Sequence, residues 1–184
     1  MKLVVTEFVS LDGVMEAPGG EPGYAHTGWV IDAMGPQSTQ FKLDEVLEAE
    51  AHLLGRVTYE SFAEAWPTRT GELADKINHM PKHVVSTTLT DLDWENCHLI
   101  DREVPEQVAA VKERDGGPLL VVGSRTLVHT LMAHNLVDEY RLMIFPVVLG
   151  SGRRLFPDSP DKLGLKLVSS QAFDAGVVVL TYAH

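Results

Sequence analysis

A single cysteine, Cys97, stands among 184 residues. No intrachain disulfide can form, so a secreted, disulfide-stapled scaffold is not indicated. Long apolar runs are lacking too. Stretches such as Leu119–Val122 fall far short of the ~20 residues a membrane span needs, so no membrane partner is expected. Thr6 and Glu7 interrupt Met1–Val5 before a signal-peptide core can develop, and the expected location is the cytoplasm. Basic residues are scarce: 15 Lys plus Arg face 26 Asp plus Glu, a net charge of −11. That balance argues against a phosphate-tracking surface and against nucleic acid as a partner. A small anionic ligand stays open, because a few local cations and backbone N–H groups hold one inside an acidic protein. Gly and Pro, at 15 and 10, are too few for a low-complexity or collagen-like chain. The length fits about one domain, residues 1–184, built on one sizeable core.

Several catalytic signatures are also missing. There is no G-x-x-x-x-G-K-[ST] and no G-x-S-x-G, which removes the P-loop and the hydrolase nucleophile elbow. Gly150-Ser151-Gly152 is followed by Arg153, Arg154 and Leu155, so the third glycine of a Rossmann fingerprint is absent. The eight histidines do not assemble a metal site by spacing. Pro81 breaks any helix that would align His79 with His83, His129 and His134 are five apart, and Cys97 and His98 point to opposite sides of a strand.

What is present reads as alternating strands and helices. Lys2–Ser10 has the apolar character of a buried strand ending at the turn Asp12-Gly13. A long loop rich in Gly and Pro runs from Glu16 to Pro36, a length that marks a functional or mobile segment. Helical patterns follow over Ser38–Ala51 and Thr58–Trp66, separated by the apolar pair Leu53-Leu54 and Gly55. Lys82–Ser86, Cys97–Ile100 and Leu119–Val122 read as short strands. One helix starts near Pro105 and carries Val104, Val108 and Val111; another carries Leu127, Val128, Leu131 and Met132. Tyr140–Val148 is a long strand, and Leu165–Phe173 with Val177–Tyr182 forms a closing antiparallel hairpin. The fold class is therefore α/β: a mixed, mainly parallel sheet flanked by helices on both faces, with a C-terminal antiparallel hairpin.

Three strand ends share one chemistry. Leu54 is followed by Gly55, Arg56 and Thr58, Val85 by Ser86 and Thr87, and Val122 by Gly123, Ser124, Arg125 and Thr126. Small and hydroxyl residues let a ligand approach the backbone, and a helix N-terminus favours an anion. Open α/β sheets bind ligands beyond the carboxyl ends of their strands. Together the three ends point to a phosphorylated ligand, a nucleotide, although at each one helix capping by Ser or Thr is the competing explanation.

At these residues the sequence resembles the dihydrofolate reductase-like superfamily. Within it the closest branch contains the C-terminal reductase domain of the bifunctional riboflavin-biosynthesis deaminase/reductase. The resemblance rests on Ser10–Gly13, Leu53–Glu60, Asn78–Leu89, Gly123-Ser124, Leu136–Glu139 and Pro146–Phe156, in that order, and covers nearly the whole chain. It implies a dihydrofolate reductase-like fold, a homodimer, and NADPH-dependent hydride transfer to a small heterocycle such as a pteridine or aminopyrimidine. By the same resemblance Gly55, Arg56 and Thr58 flank the cofactor phosphates, with Arg56 on the 2′-phosphate. Ser86 and Thr87 line the adenosine ribose, and Gly123, Ser124, Arg125 and Thr126 cradle the pyrophosphate. Thr87 stands where relatives often carry a basic residue, which keeps NADH open as the carrier. Val121 stands where the riboflavin enzyme has an acid.

A reductase also needs a proton. Asp12 is the expected donor, with an ordinary Asp-Gly turn as the competing role. Asp32, in the long loop, and Tyr59 are expected to touch substrate, and Arg153 and Arg154 to be a surface pair or to meet a substrate phosphate. Tyr140–Val148 and the hairpin are expected to supply the surface that pairs two copies. The alternative function is a nucleotide-binding protein of the same fold that has lost the chemistry, for which Val121 is the sequence feature.

Overall fold

The computed structural model describes residues 1–159 and 162–184. Its strands are β1 (Leu3–Ser10), β2 (Ala51–Gly55), β3 (Lys82–Val85), β4 (Cys97–Ile100), β5 (Leu119–Val121), β6 (Glu139–Phe145), β7 (Lys166–Ala172) and β8 (Val178–Ala183). They form one sheet in the order β4-β3-β2-β5-β1-β6-β8-β7. β1 to β6 run parallel to their neighbours, whereas β8 is antiparallel to β6 and β7 to β8. The helices are α1 (Pro36–Glu48), α2 (Arg56–Ala65), α3 (Glu72–His79), α4 (Val104–Lys112) and α5 (Arg125–Ala133).

Both faces of the sheet are covered, and the period of two along each strand divides the core. Leu3 and Val5 of β1, Leu53 of β2, and Leu119 and Val121 of β5 pack with α4 and α5 through Val108, Val111, Leu127, Val128 and Leu131. Val4, Leu54, Val84 and Leu120 face the other way, toward α1, α2 and α3 through Val46, Tyr59 and Ile77. α1 is further anchored by a polar network. Lys42 Nζ donates to Glu45 Oε2 at 2.5 Å and to Thr6 Oγ1 at 2.8 Å, while Arg141 Nε donates to Glu139 Oε1 at 2.7 Å.

Helix boundaries differ from the sequence reading in informative ways. α1 begins at Pro36, where a missing N–H costs nothing, so Ser38 is its third residue instead of its first. β6 ends at Phe145, because Pro146 has no N–H to continue the ladder. α3 was not expected at all. Its buried stripe is only Ala74 and Ile77, too short to register as a periodic pattern. Tertiary contacts hold it instead: the buried Lys82 ammonium donates to the carbonyls of Ile77, Asn78 and Met80 at 3.0, 2.6 and 2.8 Å. That places a cation at the negative end of α3, 4.3 Å over the Trp94 ring.

Since β1 and β2 both run parallel to β5, α1 starts at the carboxyl edge of the sheet and runs back to its amino edge. α2 and α5 start at that same edge. So does the tip of the β7–β8 hairpin, because Val178 pairs with Ile144 near the end of β6.

Candidate functional site

The ends of β3, β2 and β5 lie side by side on the carboxyl edge. Gly55 closes β2 and its N–H donates to the Gly123 carbonyl at 3.1 Å. The approach is so close that a Cβ on Gly55 would sit 2.2 Å from Ser124 Oγ, and one on Gly123 would sit 2.8 Å from Thr58 Oγ1. Gly123 also has φ +100°, a region that side chains rarely adopt. The Gly123–Ser124 peptide is cis. Val85 pairs in register with Gly55, which brings Ser86 beside Arg56. The loops after Leu54, Val85 and Val122 therefore converge on one patch of backbone.

Gly55 is the N-cap of α2 and Ser124 that of α5, and neither end has a side-chain cap hydrogen bond. Two helix N-termini thus open on the same patch with their first N–H groups uncapped, an arrangement that attracts an anion. The capping explanation, which competed at each of these strand ends, does not hold at Ser124 or Thr58. At Ser86 no helix follows, and its Oγ instead closes a local turn by accepting from the amides of Thr88 and Leu89 at 3.2 and 3.0 Å. Thr87 and Thr126 are exposed nearby. Arginines gather beside the patch: Arg125 Nε donates to the Arg154 carbonyl at 2.8 Å, and Arg154 Nε to the Asp12 carbonyl at 3.0 Å. Arg153 pairs with Glu16 at 3.4 Å. At the mouth of α2, Arg56 Nη1 donates to both Glu60 oxygens at 2.9 Å. Both side chains of that pair are nearly half exposed, so it contributes little to stability and is easily exchanged for a better anion.

Two of the expected substrate or catalytic residues, Asp12 and Tyr59, are engaged in structural contacts. Asp12 accepts the Ser10 hydroxyl at 2.7 Å, and the Leu149 and Gly150 amides at 3.1 and 2.9 Å. These bonds, the Ser10 hydroxyl first, hold its pKa down at about 2. Held by these contacts, Asp12 clasps the loop after β6 onto the end of β1. Tyr59 is core: it is 5% exposed, packs on Trp94, and its hydroxyl accepts the Trp94 amide at 3.5 Å. Asp32 sits exposed in a 3-10 turn, Ile31–Ala33. The acid that does keep a proton near neutrality is Glu7, pushed up to about 8 by burial. It faces the α4/α5 side with Val5, Val9 and Leu142, turned away from α1.

The sequence reading did not pick out Ser38. Its side chain is fully buried, its Oγ has no protein partner, and it lines a cavity of about 190 Å³ between α1 and the hairpin tip. In the sequence it marked only the start of the helical pattern Ser38–Ala51. Among the described residues no group of three or more His, Cys, Asp or Glu is arranged to hold a metal ion, and no helix is long and apolar enough to cross a membrane.

Comparison with known proteins agrees with this geometry. Residues 1–179 match the family model of the RibD C-terminal domain. The chain is 30% identical to the uncharacterized protein YyaP of Bacillus subtilis over 186 residues, covering 98% of this chain and 94% of that one. It is 26% identical to the uncharacterized protein YwjB of the same organism over 176 residues, covering 96% and 94%. Among solved structures, one described as a riboflavin biosynthesis protein from Shewanella superposes with a TM-score of 0.76 at 22% identity, covering 100% of this chain and 98% of that one. A pyrimidine reductase-like protein from Corynebacterium diphtheriae gives 0.71 at 11% identity, covering 99% and 91%. The chain belongs to the RibD C-terminal domain family, and its fold is dihydrofolate reductase-like.

Proposed function

We propose that this member of the RibD C-terminal domain family is a reductase that uses NADPH, with NADH as the lesser carrier, to reduce a small heterocycle of the pteridine or aminopyrimidine kind. The observation that carries the reading is the Gly55–Gly123 approach. It leaves bare backbone and two uncapped helix N-termini where the phosphates of a dinucleotide would lie. A bound nicotinamide dinucleotide would supply the hydride. Gly55, Thr58, Gly123, Ser124 and Thr126 are suited to hold its pyrophosphate, with Arg125 the nearest cation. Ser86 and Thr87 border the ribose position. Arg56 exchanges Glu60 for the 2′-phosphate, a bidentate acceptor for its planar guanidinium. With Asp12 fixed as a carboxylate, the proton is assigned to solvent at the open edge. The match to the RibD C-terminal domain family supports the reductase role.

One observation favours the second reading, a nucleotide-binding protein without turnover. Val121 is fully buried among the α4/α5-side core, so nothing at that position meets a substrate. Titration of NADPH and NADH against the protein and its Arg56→Ala variant tests the cofactor. Arg56→Ala is expected to weaken NADPH roughly tenfold, about one charge-assisted contact, and NADH far less. Equal losses remove Arg56 from the 2′-phosphate. Tight NADPH binding with no oxidation by any of a panel of pterins and aminopyrimidines selects the second reading.

We place the protein in the cytoplasm as a homodimer. The lone Cys97 thiol, pushed up to about 11 by burial, needs no oxidising compartment. β6 has no free edge, since β1 and β8 flank it, so within the expected surface the hairpin carries the pairing. β7 is the candidate: an edge strand exposed along its whole length, with Leu167 and Val168 open to solvent. A monomeric sedimentation profile would refute the pairing.

A further inference from the structure

The amino-terminal halves of β3 and β4 set two histidines side by side, back from the carboxyl edge that carries the nucleotide cradle. His83 and His98 are partners in the parallel register, so their side chains leave the sheet on the same face. His83 is also level with Leu53, a member of the core beneath α4 and α5, which makes that face the α4/α5 side. The ring centroids stand 5.6 Å apart, with the planes 31° from parallel. β4 ends the sheet and His98 is exposed there, so the pair opens to solvent.

The two imidazoles are held differently. His83 is 5% exposed and has no hydrogen bond to any other described residue, a condition that costs stability unless a partner arrives. Its nitrogens are unlike those of His52, which are sealed from solvent as well as unbonded; those of His83 keep surface through which a ligand reaches them. His98 is the mobile half. It too has no hydrogen bond to a described residue, and the terminal torsion of a histidine is soft. Ring stacking accounts for the closeness of the pair but leaves the buried ring unsatisfied.

A shared ion satisfies both. Metal–nitrogen bonds of ~2.0–2.1 Å at a square or tetrahedral angle put the centroids of two bound imidazoles roughly 4.5–5.2 Å apart. That is a little less than the separation seen here, and ring rotation closes the gap. The net charge of −11 favours a cation. Arg114, whose charge is felt at His83, opposes one, but it is exposed and screened by solvent. Among the described residues no third His, Cys, Asp or Glu completes the set, so water takes the other positions and the site is an open one. We propose that His83 and His98 chelate a divalent late transition ion, Zn(II) or the tighter-binding Cu(II), at the β4 edge of the α4/α5 face. Imidazole suits these ions, whereas Mg(II) and Ca(II) call for oxygen ligands. The site is independent of the reductase reading.

Zinc chloride is titrated into the full chain without cofactor and followed by the imidazole C–H resonances. The expected result is that His83 and His98 move together and saturate first, ahead of the exposed His26, His79 and His134, while magnesium chloride moves none of them. Copper(II)-loaded protein should show two nitrogen donors by electron paramagnetic resonance. Because His83 belongs to the buried interior, where substitution threatens the fold, the variant is His98→Gln at the exposed position. It weakens Zn(II) about tenfold, the share of one imidazole, and leaves a single nitrogen on Cu(II). Arg114→Gln tightens Zn(II) roughly threefold by removing a screened repulsion. Uniform shifts of all exposed histidines, unchanged affinity in His98→Gln, or one nitrogen on Cu(II) in the wild type would mean an adventitious ion only and overturn the proposal.

Discussion

Glu7→Gln should remove a pH-dependent weakness built into the middle of the sheet. Glu7 sits on β1, 8% exposed, among Val5, Val9 and Leu142, and its Oε1 has no partner. Burial raises its pKa from 4.5 to about 8, against a smaller opposing pull from Lys42. The folded protein therefore keeps a proton that the unfolded chain gives up above pH 4.5. Between those limits the unfolded state binds fewer protons, so stability falls as pH rises and the loss is complete above about 8. At 1.36 kcal/mol per unit, a shift of that size is worth on the order of 5 kcal/mol, a ceiling that structural relaxation lowers. For a chain of this length it corresponds to roughly 10–20 °C in Tm. Glutamine has nearly the same shape and no charge. Urea unfolding at pH 5 and pH 8.5 should show similar stabilities for the two proteins at the lower pH. At the higher pH the variant should be several kcal/mol more stable. Parallel pH profiles for wild type and Glu7→Gln would refute the reasoning, because they would mean that the carboxyl ionises in the fold at little cost.

The acid limb has a different owner. His52 is fully buried with neither ring nitrogen bonded, and burial lowers its pKa from 6.5 to about 3. The unfolded chain gains a proton that the fold refuses, so stability is lost as pH falls from about 6.5 toward 3. His52→Leu should flatten that limb in acid unfolding, leaving the smaller contribution of His83, lowered to about 4; an unchanged limb counts against it. Asp12→Ala should release the loop it clasps, raising hydrogen exchange at the Leu149 and Gly150 amides about tenfold. If catalysis disappears while that exchange stays slow, Asp12 is a reacting group after all.

How much of this was legible in the sequence depended on the range of the interaction. The alternating burial of Leu3, Val4 and Val5, and of Leu53 and Leu54, follows from local period, and the small residues after each strand announced a ligand edge. Asp12 misled because its partners, Leu149 and Gly150, lie 137 and 138 positions away; locally it is an Asp-Gly turn and nothing more. Tyr59 is ambiguous on a short helix until Trp94 is seen against it. Glu7 lies in a strand whose apolar residues mark it as buried, but that its carboxyl shares this burial emerges only from the packing around it. Ser38 illustrates a boundary shift of two residues. The pattern places it first in the helix; with Pro36 in that position, it falls inside the first turn, buried and with its hydroxyl unpartnered. α3 needed Lys82 and Trp94, neither of them within it.

The steric tolerance of the carboxyl edge is uneven. At Gly55 and Gly123 a single added carbon collides with a neighbouring chain segment, whereas Asp174 and Ala175 project from a surface turn. Substitution at the hairpin tip thus meets little steric resistance, whereas the meeting of β2 with the loop after β5 admits no added carbon without displacing a neighbour.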